Sequence, residues 1–132
     1  MGKVLSRGYL YLIGAVDHKD VPYKIGCTTN LNQRLKAIQS NHWMELSIIH
    51  ATDAILDYHR AEQSVHFLFA PKRLNNEWFR LDKKDVAKVQ RIFKNPDMLN
   101  EMIEEYNKLP SLIRRKSLEG AYGINGYDVL YK

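Results

Sequence analysis

Two stretches, Gly8-Tyr9-Leu10-Tyr11-Leu12-Ile13 and Tyr23-Lys24-Ile25-Gly26-Cys27-Thr28, decide the fold. In the first, Tyr9, Tyr11 and Ile13 alternate with Leu10 and Leu12, so a strand over residues 8–15 puts the two sets on opposite faces. The second reads as a return strand from Tyr23 to Gly26, with Lys24 facing opposite to Tyr23 and Ile25. The polar connector between them is long enough for a loose hairpin. Asn30 then suits the N-cap of a helix. Leu31, Leu35 and Ile38 recur at helical spacing, which sets Arg34 beside the apolar stripe.

Outward from this unit, Glu45 to Ala51 suits a third strand. Thr52 or Asp53 is placed to cap a helix running to about Phe69, with Tyr58, Ala61, Val65, Leu68 and Phe69 as its buried stripe. Glu62 falls on the edge of that stripe, between Phe69 and His66, with His59 slightly beyond. Pro71 and the polar run to Asn76 end the helix, and Asn75 and Asn76 read as turn residues. Glu77-Trp78-Phe79-Arg80-Leu81 is a short extended segment whose aromatics pack the core. Asp82 caps a helix bearing Val86, Val89, Ile92 and Phe93. Asn95-Pro96 opens another, with Leu99, Met102, Ile103 and Tyr106 inward. The pattern is α/β (α+β): a small antiparallel sheet flanked by helices, with a helical C-terminal extension. A boundary near residue 95 divides a core over 1–94 from a helical and partly irregular extension over 95–132.

The chain has 132 residues, enough for one domain or a small domain with an appendage. No stretch approaches the roughly 20 apolar residues of a membrane span, so no membrane partner is expected. The N-terminus lacks the apolar core of a signal peptide. The single cysteine, Cys27, cannot form an internal disulfide and fits a reducing compartment. A cytoplasmic location follows as an expectation, in the host cell if the chain is phage-encoded. The net charge of +5 and pI near 9.3 favour a polyanionic partner, although such a charge also serves solubility.

The hairpin supplies tyrosine and lysine, the first helix an arginine and the second a carboxylate. These are the groups needed to break a phosphodiester with one metal ion. A carboxylate can hold Mg²⁺ on one or two protein ligands, because this ion keeps most of its waters. Arginine can grip the scissile phosphate with its planar fork. Tyr11 can orient or deprotonate the attacking water, the latter only if nearby positive charge lowers its pKa. Lys24 can bind phosphate or serve as the base once its own pKa is depressed.

Residues 8–81 resemble the GIY-YIG endonuclease domain, and within it a phage-associated branch. In that branch the second motif reads Tyr-Lys-Ile-Gly and a Glu-Trp-Phe element follows the glutamate helix, as Tyr23-Lys24-Ile25-Gly26 and Glu77-Trp78-Phe79 do here. Leu10-Tyr11 stands at the first motif's Ile-Tyr, with Tyr9 in place of its glycine. Lys24 stands at the signature tyrosine of the second motif, and Cys27 where a lysine often follows. The resemblance implies a divalent-metal-dependent DNA endonuclease using Mg²⁺ or Mn²⁺, with RNA not excluded, working as a monomer or homodimer. It gives Tyr11, Lys24, Arg34 and Glu62 the catalytic roles and Glu62 the metal.

Further contacts are expected around this set. Arg34, Lys36, Arg114, Arg115 and Lys116 are candidate nucleic-acid contacts; the last three lie near Tyr122, Tyr127 and Tyr131, as phosphate contact with stacking requires. The same tail also reads as a polar segment folded back on the domain, or as a dimer contact. Tyr23, His66 and Asn76 are candidate supports for the catalytic groups. His59, Glu62 and His66 share a helix face, but their spacing is not that of a metalloprotease helix and no cysteine pair completes a zinc tetrahedron. Two other functions fit the same residues: a non-catalytic nucleic-acid-binding module and a protein-interaction or regulatory factor.

Overall fold

The computed structural model describes residues 7–16 and 21–113. Among these residues five strands and four α-helices follow one another as β1 (Tyr9–Ala15), β2 (Tyr23–Thr28), α1 (Leu31–Gln39), β3 (Leu46–Ala51), α2 (Tyr58–Leu68), β4 (Arg73–Asn75), β5 (Trp78–Phe79), α3 (Lys83–Lys94) and α4 (Pro96–Asn107), with a short 3-10 turn at Ala70–Lys72 before β4. The strands form one sheet in the order β3-β1-β2-β5-β4, and every neighbouring pair is antiparallel. This is the α+β architecture expected, with a helical C-terminal part.

Strand alternation sorts the core into two layers. Leu10, Leu12, Ile25 and Phe79 pack on one face with Ala61 and Val65 of α2, Val89 and Ile92 of α3, and Leu99 of α4. Tyr11 and Ile13 pack on the other with Leu46, Leu31, Leu35, Ile38 and Trp78, under α1. The tertiary register agrees with the alternation: Tyr11 lies opposite Gly26 and Ile13 opposite Lys24.

The local signals act largely as the sequence predicts. The Asn30 side chain accepts from the backbone N–H of Gln33 to cap α1, and Asp82 forms a capping box with Asp85 at the start of α3. Asn95 caps α4, with Pro96 at its first position. Helix α4 lies against α2: Tyr106 and Leu109 close over Phe67, which the predicted α2 stripe left out.

Helix α2 begins later than expected. Thr52 is occupied with β1, its backbone N–H donating to the Leu10 carbonyl and its Oγ1 accepting from the Leu10 N–H. Gly8 and Ile55 then exchange two backbone bonds. The chain therefore stays extended past β1, and Asp57 becomes the residue before the first turn. Strand β4, read in the sequence as part of a polar run, pairs with β5 through a tight turn in which Asn76 takes a φ of 46°. Asparagine tolerates this left-handed conformation better than most residues.

Strand β5 is only long enough to pair with Tyr23 and Lys24. Beyond that point no strand among the described residues lies beside the second edge of β2, and the sheet they form has a notch.

A side chain at Gly26 has no room. An added Cβ would fall within the van der Waals envelope of the Tyr11 hydroxyl and 2.9 Å from Glu77 Oε2. Gly26→Ala is expected to cost about 1–3 kcal/mol, as overpacking of a close-packed interior does. Thermal and denaturant unfolding measure this, with Gly26→Ala expected to melt below wild type.

Candidate functional site

The notch in the sheet lets groups from both faces meet. Arg34 reaches it from α1, Lys24 from β2, Glu77 from the turn before β5, and Glu62 with His66 from α2 on the far side. Lys24, Arg34, Glu62, His66, Arg73 and Glu77 line an open cavity of about 500 Å³.

Glu77 is the hub. Its Oε2 lies 3.1 Å from Lys24 Nζ, 3.5 Å from an Arg34 terminal nitrogen and 3.4 Å from the Tyr11 hydroxyl that donates to it. Arg34 Nε donates to the same Tyr11 oxygen at 3.2 Å. The backbone N–H of Ile25 donates to the Glu77 carbonyl, so main chain and side chain together tie this residue to β2. Lys24 is nearly buried, with its ammonium 5.1 Å from the centre of the Trp78 ring. A charge so enclosed needs its partner, and Glu77 provides it.

Tyr11 is fully buried. Burial is the largest influence on its phenol and holds the pKa well above the ordinary value, although the Arg34 hydrogen bond works the other way. A water-activating tyrosinate needs the opposite shift. Tyr11 is neutral here, and it joins Arg34 to Glu77 from beneath the cavity.

Glu62 is driven up from the usual carboxylate range, first by burial and also by the charge of Glu77, while hydrogen bonds from the Cys27 thiol and backbone favour its ionised form. The Cys27 thiol, with His59 Nδ1 at 3.6 Å, is itself pushed far up by burial and by Glu62, which keeps it a thiol rather than a nucleophile. His66 is buried and bonded through Nε2 to the Ile25 carbonyl at 2.7 Å, an acceptor that β5 is too short to reach. Burial lowers its pKa to about 4. His66 thus replaces a missing strand at the notch rather than joining His59 and Glu62 in a metal site.

Two carboxylates, Glu62 and Glu77, line the open cavity, and carboxylate oxygens suit a hard cation. Glu62 carries an ionised form penalised by burial and by Glu77, a penalty that a cation bound at Glu62 would relieve. Mg²⁺ and Mn²⁺ fit such a donor set, since one or two carboxylates plus substrate oxygens suffice. No group of three or more His, Cys, Asp or Glu suited to a metal occurs among the described residues.

The structure brings Lys24, Arg34 and Glu62 to one cavity, with Tyr11 bonded to Arg34 beneath it. It adds Glu77 and Arg73, which the sequence reading did not assign. Arg73 Nε donates to the carbonyl of Asn76 at 2.5 Å, which holds the turn at the cavity rim. Opposite charges on Lys24 and Glu77 were the available clue to Glu77, usable only with the β2–β5 register in hand. Tyr23 lies on the opposite face, its ring 2.8 Å from where a Cβ on Gly14 would stand. Lys36 is exposed on α1 and does not line the cavity. Arg114, Arg115 and Lys116, with the tyrosines that follow them, lie outside the described residues.

The pKa shifts predict opposite effects at two positions. For His66 the folded value of about 4 lies below the ordinary 6.5, so its contribution is complete above pH 6.5 and is lost as pH falls toward 4. The loss is roughly 3 kcal/mol at most, and His66→Gln should flatten that part of the stability profile in urea titrations. For Glu62 the folded carboxyl holds its proton more tightly than the unfolded one, so the ionised group opposes folding at neutral pH. Glu62→Gln is expected to melt above wild type at pH 7, and the gain should shrink as pH falls into the carboxylate range.

Comparison with known proteins gives the family. The model of the T5orf172 domain matches residues 8–94. This corrects the GIY-YIG assignment expected from the sequence: the matching family is a different one. The shared tripeptides describe an aromatic strand facing a glycine across a hairpin, a packing solution that does not by itself specify a family. The T5orf172 domain is a nucleic-acid-associated domain. A relative from Invertebrate iridescent virus 6, described as uncharacterized protein 460R, is 32% identical over 87 residues. That match covers 64% of this chain and 39% of the relative's length. No solved structure matches the chain. Among the described residues no helix is long and apolar enough to cross a membrane.

Proposed function

The chain belongs to the T5orf172 domain family, and from that premise we propose that it is a divalent-metal-dependent endonuclease that hydrolyses phosphodiester bonds in DNA. One observation carries the reading: the two carboxylates Glu62 and Glu77 and the cations Lys24, Arg34 and Arg73 line one open cavity at an interruption of the sheet. A purely structural ion pair needs neither an open cavity nor a second carboxylate held against its own desolvation.

Lys24 and Arg34 receive the scissile phosphate and offset the charge that gathers on its non-bridging oxygens. Arg34 arrives oriented, because Tyr11 fixes its Nε and leaves its terminal nitrogens toward the cavity. When phosphate engages the two cations, Glu77 is released from part of its pairing and accepts the proton of the attacking water. Tyr11, neutral and out of reach of solvent, is a positioning residue for both. Glu62 would hold Mg²⁺ or Mn²⁺, which when bound would supply Lewis-acid stabilisation to the departing 3′ oxygen.

Nicking of supercoiled plasmid in Mg²⁺ or Mn²⁺ tests the proposal. Wild type is expected to nick; Arg34→Ala, Glu62→Ala and Glu77→Gln are expected to lose about 10²–10³-fold in rate, the usual cost of removing a charge-stabilising group. Salt-dependent DNA binding with no cleavage of any nucleic acid would reduce the protein to a binding module on the same scaffold.

A further inference from the structure

A second cavity, of about 600 Å³, opens on the α1 side of the same ion pairs. Lys24 and Arg34 belong to both cavities. Beside them the lining includes the rings of His42 and Trp78 and the apolar Leu74 and Pro22. Trp78 is stacked on His42 with ring centres 5.6 Å apart and planes 27° from parallel. His42 is followed by Trp43, 6.5 Å away and within 7° of parallel, and Trp43 is 86% exposed. Three rings in series therefore run from the buried ammonium of Lys24 out to solvent.

The platform is held in place. Met44 N–H donates to His42 Nδ1 at 3.2 Å, which orients the imidazole. Gln39 ties the turn from both ends of its amide: Nε2 donates to the carbonyls of His42 and Met44, and Oε1 accepts from the Leu46 N–H. An exposed tryptophan on a braced turn has a low ordering cost on binding a flat ligand. Apolar collapse does not account for it, since Trp43 covers no core.

We propose that this groove is a base-stacking subsite for an unpaired stretch of the nucleic-acid strand. A base sits against His42 and Trp78, and Trp43 extends the stack to the next one. The proposal rests on the phosphate-binding reading of Lys24 and Arg34. These cations stand where groove and phosphate cavity meet, so a strand whose phosphate they hold presents its adjoining base to the rings. The rings offer π-faces without sequence readout, as in single-strand recognition. A base stacked in a duplex has no free face for this platform, so unpaired nucleotides are the substrate class favoured.

The test titrates the full chain with oligothymidylate, with an abasic strand of the same length, and with a blunt duplex. Quenching of Trp43 and Trp78 fluorescence reports stacking. Wild type should bind oligothymidylate more tightly than the abasic strand, with quenching. Trp43→Ala should weaken oligothymidylate binding by about tenfold, the lower part of the range for one lost stacking contact. It should narrow the difference from the abasic strand, and Trp43→Phe should restore part of it. Because Trp43 is exposed, unchanged melting of Trp43→Ala verifies that the fold is intact. Equal binding of oligothymidylate and abasic strand by wild type, an equal loss on both in Trp43→Ala, or preference for the duplex would each overturn the subsite. Plasmid nicking measured alongside separates the two proposals. Nicking without base-dependent binding removes the subsite alone, and Trp43-dependent binding without nicking removes the enzyme alone.

Discussion

A phenol packed against a glycine holds the site together. Tyr11 lies opposite Gly26 in the β1–β2 pair, and the missing side chain of Gly26 is the space its hydroxyl occupies. From there the hydroxyl donates to Glu77 and accepts from Arg34, linking the β4–β5 hairpin to α1 through the sheet. Lys24 then finds its counter-charge in Glu77 without leaving the strand. Filling the space at Gly26 would displace all four groups, because packed interiors transmit such strain rather than absorb it.

The brevity of β5 is the second constraint. A longer strand would pair the rest of β2 and separate the helices on the two faces. Because it stops after Lys24, the Ile25 carbonyl turns to His66 and the cavity opens between α1 and α2. Charges that both layers would exclude from their cores meet at this edge. Burial lifts the Glu62 and Tyr11 pKa values, while Arg34 and Lys24 limit the cost of holding Glu77 among them. The burial of Glu62 therefore costs stability at neutral pH.

Much of the framework was legible because its signals are local. Alternation in β1 assigned Tyr11 and Leu10 to opposite faces, and Asn30, Asp82 and Asn95 marked helix starts. The start of α2 was misread because Thr52, a plausible cap, is used by β1 across a contact distant in sequence. Strand β4 was missed because it is three residues long, two of them polar and its Leu74 exposed, and it exists only through pairing with β5. The family was misread for a related reason: short motifs record how an aromatic strand packs on a glycine, and that local packing does not by itself specify a family.

The sequence by itself determined the order of β1 to β3 and of the four helices, most of their inward faces, and the presence of Tyr11, Lys24, Arg34 and Glu62 on four different segments. Each follows from periodicity, capping chemistry or a neighbouring residue. Only the tertiary structure decided that Glu77 is their common partner, that Tyr11 is neutral and buried, and that His42 and Trp43 form a braced aromatic edge. Those properties depend on strand register, on where β5 ends and on how much water each group loses. All three are set by contacts between segments far apart in the chain.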